Sequence, residues 1–131
     1  MTRGRRGDAS DRGQAESTRI GIVSDTHDKV LAALHDALAG VDEILHAGDI
    51  ASTVALAEIE TIAPVTAVRG NMDERALADR LPEERILERG GVRIALVHGH
   101  RVGRASIDDL VGRFDDLPTG RRPDLVVWGH I

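Results

Sequence analysis

Apolar positions follow two different periods along the chain from residue 19 onward. Short aliphatic runs, such as residues 20–23, leave no polar face and predict buried strands. Between these runs, apolar residues recur every three or four positions, as in residues 28–40, and this spacing predicts helices. An order of strand, helix, strand, helix, strand is typical of a parallel sheet with right-handed crossovers.

The remaining elements complete a mixed α/β fold. Strands are expected at residues 20–23, 43–47, 64–68, 85–88, 92–97 and 124–128, and helices at residues 28–40, 52–59 and 106–114. Ser52 is a suitable N-cap for the second helix, and Gly40 stands where the first should stop. Gly90 and Gly91 predict a hairpin, so antiparallel pairing is expected as well. The polar stretch that ends at Pro82 is expected to be irregular or helical.

Length and composition exclude several kinds of protein. The 131 residues suffice for one domain with a core. The absence of Cys excludes thiolate chemistry, and one Trp, one Phe and no Tyr argue against stacking platforms for single-stranded nucleic acid. No apolar run approaches the roughly 20 residues of a membrane span, and the N-terminus lacks a secretory signal. The default expectation is a cytoplasmic protein.

Charge and apolar content divide the chain at residue 18. Residues 1–18 are rich in Arg, Gly and Ser and contain four Arg against three acidic residues. This composition predicts a disordered tail, followed by one domain over residues 19–131. The whole chain has a formal net charge of −5 and the tail +1, so the remainder carries −6. An acidic body argues against nucleic acid as the main partner.

Side chains that can bind metal follow all but one of the predicted strands, at the point where each strand ends. They are Asp25, His27, Asp49, Asn71, Asp73, His98, His100 and His130. Because the carboxyl ends of parallel strands meet at one edge of a sheet, we expect these side chains to lie close together. Taken alone, the triplet 25–27 is more simply explained as a polar turn after a strand, because chance matches to Asp-x-His are common. Together, the strand ends predict a metal site built from carboxylate, imidazole and amide ligands.

The same residues form an ordered set of motifs. They are Asp25-x-His27, Gly48-Asp49, Gly70-Asn71-x-Asp73, His98-Gly99-His100 and Gly129-His130. In this order the motifs resemble those of the calcineurin-like metallophosphoesterase superfamily, and most of all its small bacterial and archaeal phosphodiesterases. The resemblance covers residues 20–131. It implies a four-layer α/β/β/α sandwich with two metal ions at the edge of the sheets.

The resemblance also implies a function and a set of metal ligands. It assigns Asp25 and His27 to one metal, Asn71, His98 and His130 to the other, and Asp49 to both. Mn²⁺ is the expected ion, with Zn²⁺, Fe or Co²⁺ as alternatives that suit the same ligands. The implied activity is hydrolysis of a small phosphate ester, with a phosphodiester as the expected substrate, by a hydroxide that bridges the metals.

Two departures from the family pattern change these expectations. The family's last motif is Gly-His-Thr-His, whereas here Ile131 follows His130, and the second His and the later strands are absent. We therefore expect a domain that lacks its last strands and holds the first metal weakly. Several branches also place a His after the Asn, where it is thought to protonate the leaving group. Met72 occupies that position, which favours either substrates with good leaving groups or a different proton donor, for which His100 is the candidate catalytic residue.

Four other polar residues have plainer interpretations. His35 is expected at the surface or in a structural role, and His46 is expected to be a hydrogen-bonded strand residue or a group that supports a metal ligand rather than a ligand itself. Asp73 is expected either to support a ligand or to cap the segment that follows it. Arg69 could bind phosphate, although ordinary pairing at the surface is the simpler expectation.

Two other classes of protein remain open at this point. The first is a non-catalytic scaffold of the same fold that acts through protein–protein interaction, which the missing His would fit. The second is a receiver-like or flavodoxin-like domain with an acidic pocket at Asp25 and Asp49. That second class leaves Asn71, His98 and His130 without a role.

Overall fold

Two small sheets and four helices make up the part of the chain that the structure describes. The computed structural model describes residues 17–28, 32–99 and 107–129. The strands are β1 (Ile20–Val23), β2 (Glu43–His46), β3 (Val65–Ala67), β4 (Glu84–Arg89), β5 (Val92–Val97) and β6 (Leu125–Trp128). The helices are α1 (Ala32–Ala37), α2 (Thr53–Glu60), α3 (Arg75–Ala78) and α4 (Ile107–Asp115), with a 3₁₀ turn at Thr119–Arg121.

The first sheet is parallel and the second is mixed. The strand order of the first sheet is β1-β2-β3, with Ile22 opposite Leu45. The second sheet has the order β4-β5-β6, in which β4 and β5 are antiparallel and β5 and β6 are parallel. The carboxyl ends of β1 and β2 therefore lie side by side, and those of β5 and β6 do the same.

Three apolar clusters separate four layers. On β2, Ile44 packs with the buried residues of α2, while its neighbour Leu45 packs toward the second sheet. On β5, Leu96 faces the first sheet, and Val97 packs on the other side against Phe114 of α4. Alternation of side chains along a strand explains why adjacent residues join different clusters. The architecture is the expected α/β/β/α sandwich, and its two stacked sheets overturn the receiver-like alternative.

The observed elements match the predicted order, with small differences at their ends. Ser52 caps α2 as predicted, because its hydroxyl accepts a hydrogen bond from the backbone N–H of Ala55 at 3.1 Å. The hairpin strand predicted over 85–88 is longer, at Glu84–Arg89. The first helix ends at Ala37, and a hydrogen-bonded turn then leads to Gly40, whose φ is +84°.

The polar stretch after β3 contains the short helix α3, one of the two outcomes expected for it. Residues 1–16, which make up most of the predicted tail, lie outside the described residues, so its disorder stays a prediction. In the part of the chain that the structure describes, every helix is too short or too polar to cross a membrane.

Candidate metal centre

Three side chains from three strand ends converge at one edge of the sandwich. Asp25 follows β1, Asp49 follows β2 and His98 follows β5. The Nε2 atom of His98 lies 3.2 Å from Oδ1 of Asp25 and 3.3 Å from Oδ2 of Asp49. Asp49 and His98 are buried, whereas Asp25 is partly exposed. Among the described residues, these three offer ligand atoms that all lie within 4.8 Å of one another.

The backbone is strained at Asp25 and Asp49, two of these three residues, and at His27 in the same loop as Asp25. Asp25 has a φ of +55°, His27 of +53° and Asp49 of +62°, which is the left-handed region that residues with a side chain rarely adopt. Two hydrogen bonds hold the two loops together in this shape. The N–H of Asp25 donates to the carbonyl of Gly48 at 2.9 Å, and that of His27 donates to the carbonyl of Asp49 at 2.8 Å.

A buried histidine joins the same two loops from below. Nδ1 of His46 accepts a hydrogen bond from the N–H of Gly48 at 3.1 Å. Its other ring nitrogen, Nε2, therefore carries the proton and donates to Oγ1 of Thr26 at 2.9 Å. Burial lowers the pKa of His46 to about 4. The ring is therefore neutral at pH 7, and the sequence-based prediction of a hydrogen-bonded strand residue is confirmed.

Asp25 is held in its charged form. Partial burial raises the pKa of its carboxyl, but hydrogen bonds from the Ser24 hydroxyl and from His98 outweigh this effect, so the net pKa lies below the ordinary value. Ser24 also lies against Gly129, where a Cβ atom would overlap its hydroxyl. The N–H of Gly129 donates to the carbonyl of His98 at 3.2 Å, which brings the end of β6 to the same edge.

The three converging side chains suit a divalent cation. Two carboxylates and one imidazole are ligands that Mn²⁺, Zn²⁺, Fe and Co²⁺ accept. Even with His98 protonated, the cluster carries two negative charges against one positive charge, and Asp49 is buried with only 3% of its surface exposed. Because a buried carboxylate without a compensating charge is costly, a cation at this point would offset that cost.

The other predicted ligands lie near this cluster or outside the described residues. His27 is exposed, and its ring is not part of the three-residue group. Asn71 is exposed in the turn beside Met72, whose N–H donates to Oδ1 of Asp49 at 2.7 Å. His100 and His130 lie outside the residues that the structure describes. The roles expected for these four residues stay predictions.

The plainer predictions can be compared with the structure one by one. His35 is part-exposed, with Nε2 3.8 Å from Oε2 of Glu58. Arg69 pairs with Glu83 at 2.9 Å, which confirms the simpler of its two expected roles. Ser24 was not predicted from the sequence, because a serine after a strand carries no signal of its own.

Comparisons with known proteins agree with this geometry. The sequence model of the calcineurin-like phosphoesterase superfamily domain matches residues 18–131. A probable metallophosphoesterase of Methanothermobacter thermautotrophicus is 39% identical over 116 residues, and the alignment covers 85% of this chain and 64% of that protein.

Solved structures show the same fold. Vps29 of Chaetomium thermophilum superposes with a TM-score of 0.74 at 19% identity, covering 87% of this chain and 61% of that one. A novel archaeal phosphodiesterase superposes with a TM-score of 0.62 at 22% identity, covering 85% of this chain and 72% of that one. The chain thus spans less than two thirds of the length of the Methanothermobacter thermautotrophicus protein and of Vps29.

Proposed function

Because this chain belongs to the calcineurin-like phosphoesterase superfamily, we propose that it is a metal-dependent phosphoesterase that acts on phosphodiesters. The observation that carries the proposal is the convergence of Asp25, Asp49 and His98. A carboxylate pair with an imidazole on rigid strand ends is a ready metal site, and the family uses divalent metals for hydrolysis. Mn²⁺ is the proposed ion.

The proposed ligand set extends beyond the three converging residues. It comprises Asp25 and His27 for one ion, Asn71, His98 and His130 for a second, and Asp49 shared between them. The orientation of Asp49 supports its place in this set. Its Oδ1 accepts the hydrogen bond from Met72, while Oδ2 faces His98. The backbone thus holds one carboxylate oxygen and turns the other toward the cluster.

The charges of this centre explain how an acidic protein could take an anionic substrate. Two divalent ions carry +4 and the carboxylates of Asp25 and Asp49 carry −2, so the loaded site attracts phosphate despite the net charge of −5 on the chain. When bound, the ions would lower the pKa of water toward neutrality and so supply hydroxide for direct attack at phosphorus. His100 is the proposed proton donor to the leaving group.

The hydrolysis of bis(p-nitrophenyl) phosphate by the metal-stripped chain tests this function. We expect no activity in EDTA, activity on addition of Mn²⁺, and a loss of at least about 100-fold in Asp49→Asn. Asp36→Asn, which makes the same change at an exposed position of α1, should retain full activity. Hydrolysis that survives both EDTA and Asp49→Asn would refute the proposal. Unchanged turnover in His100→Ala would remove only the role of His100.

A non-catalytic scaffold is the second candidate function. It is favoured by the similarity in fold to Vps29 of Chaetomium thermophilum, which has also been solved in complex with a cyclic peptide. Binding of Mn²⁺ or Zn²⁺ without hydrolysis of any phosphate mono- or diester would favour the scaffold over the enzyme.

A further inference from the structure

Asp73 holds together the two loops that carry Asp49 and Asn71. Its carboxylate lies after β3 and uses one oxygen for each loop. Oδ1 accepts the N–H of Ala51 at 2.7 Å, in the loop after β2. Oδ2 accepts the N–H of Gly70 at 2.8 Å, in the turn after β3. Asp73 lies 22 residues along the chain from Ala51, and its side chain thus connects the loops that follow two different strands.

The loop that Asp73 contacts is held in an unfavourable backbone shape. Ala51 has a φ of +87° and Asp49 one of +62°. A non-glycine residue rarely adopts this region and persists there only where its surroundings hold it in place. Both backbone polar groups of Ala51 are held by two consecutive residues from a distant part of the chain, Asp73 and Glu74. Its N–H donates to Asp73, and its carbonyl accepts the N–H of Glu74 at 2.8 Å.

The turn that Asp73 closes also orients the buried carboxylate. The bond from the Gly70 N–H to Oδ2 of Asp73 closes the four residues 70–73. Between its ends lies Met72, whose N–H donates to Oδ1 of Asp49 at 2.7 Å. The direction of that N–H depends on the shape of the turn. Asp73 therefore acts on Asp49 by two routes, through the strained loop and through the Met72 amide.

We propose that Asp73 is a positioning residue that holds Asp49 ready for a metal ion. The part of this proposal that concerns a metal ion rests on the proposed function. Asp73 itself is not one of the three residues whose ligand atoms converge, and both of its carboxylate oxygens already accept backbone N–H groups. Side chains that orient a metal ligand typically change metal affinity by about 10- to 100-fold when they are replaced.

Metal titration of three variants tests the proposal. Asp73→Asn keeps one acceptor oxygen and replaces the other with an NH₂ group that cannot accept, whereas Asp73→Ala removes both. We expect isothermal titration calorimetry of the metal-stripped protein to show Mn²⁺ affinity about 10-fold lower in Asp73→Asn and lower still in Asp73→Ala. Asp79→Asn, an exposed aspartate just after α3, serves as the control and should bind Mn²⁺ like the wild type.

A second measurement detects positioning without any metal. Hydrogen exchange of the Met72 amide, followed by NMR, reports its bond to Asp49. We expect at least about 10-fold faster exchange in Asp73→Asn and no change in Asp79→Asn. A lower melting temperature with unchanged Mn²⁺ affinity and unchanged Met72 exchange would overturn the proposal, because Asp73 would then be merely structural. If the wild type binds neither Mn²⁺ nor Zn²⁺, the proposed function fails, and Met72 exchange still decides whether Asp73 positions Asp49.

Discussion

Two regions of this protein use the same left-handed backbone for opposite reasons. In the hairpin between β4 and β5, Gly90 has a φ of +59° and Gly91 one of +81°, and a Cβ added at either would meet nothing within 4 Å. At the candidate metal centre, Asp25, Asp49 and Ala51 adopt positive φ values between +55° and +87° although they carry side chains. The hairpin is unstrained because glycines occupy its left-handed positions, whereas residues with side chains occupy those of the candidate metal centre.

The difference follows from what each region has to do. The hairpin only reverses the chain, so glycine satisfies it at no steric cost. The candidate metal centre places carboxylates at defined points, and a glycine at position 25 or 49 would remove the carboxylate along with the strain. Its loops are held instead by hydrogen bonds from their neighbours, such as the two bonds to Asp73. Strain that is held in this way is typical of functional sites.

The largest expected effect is the difference in stability and activity between two glycine-to-alanine variants, Gly70→Ala and Gly90→Ala. In Gly70→Ala the new Cβ would overlap both Oδ1 and the backbone N of Asp49, so the loop must move. We expect a loss of about 3 kcal/mol in the free energy of unfolding, and the loss of Mn²⁺-dependent hydrolysis. In Gly90→Ala only the backbone angle is unfavourable, so about 1 kcal/mol should be lost with activity intact. Urea denaturation and the bis(p-nitrophenyl) phosphate assay measure both. Equal losses would contradict the contrast between the two regions.

The next effect is a dependence of stability on pH through His46. Burial lowers the pKa of this ring to about 4 in the folded protein, with opposing contributions from Asp73 and Asp25 and smaller lowering ones from His98 and His27. The unfolded chain takes up the same proton near pH 6.5, so protonation favours unfolding. Stability should be fully present above pH 6.5 and fall as the pH decreases toward 4.

The expected loss over that range is on the order of 3 kcal/mol. Urea denaturation in EDTA at several pH values between 4 and 7.5 measures it. In His46→Gln the titrating ring is gone, and the difference in slope from the wild type isolates its contribution from those of the other ionisable groups. His35→Gln, at a part-exposed histidine, should keep the wild-type slope. Identical slopes for wild type and His46→Gln would show that His46 titrates normally.

The smallest expected effects are changes of opposite sign in the free energy of unfolding when two alanines are replaced by glycine. Ala51→Gly relieves a φ of +87°, and we expect the free energy of unfolding to rise by about 1 kcal/mol. Ala57→Gly, at an exposed position inside α2, should lower it by about 1 kcal/mol because glycine is a poor helix former. Thermal and urea unfolding of both variants provide the comparison. A loss of stability in Ala51→Gly would mean that the loop around Asp49 is unstrained.

Much of the fold could be predicted from short-range pattern. The order of strands and helices, the cap at Ser52 and the hairpin at Gly90 and Gly91 all follow from residues that are close in sequence. The ends of helices were less certain, as the early end of α1 at Ala37 shows. Helix ends depend on how the next segment packs, and this is not encoded in the spacing of apolar residues.

In the candidate site, too, some residues could be predicted from the sequence and others could not. Asp25, Asp49 and His98 were each marked by their place after a strand, and the structure brings them together. Neither the roles of Ser24 and Thr26 nor the choice between the two interpretations of Asp73 could be predicted. Each of those roles depends on a contact between loops that no local pattern contains.

The sequence by itself identified the candidate metal-binding residues and the order in which they occur. This was possible because the periods of strands and helices, and the residues that end them, are local properties of the chain. Only the tertiary structure decided that two sheets stack, that His98 meets both carboxylates and that Asp73 clamps the strained loop at Ala51. The side-chain contacts among these join residues 22 to 73 positions apart, and packing alone selects them.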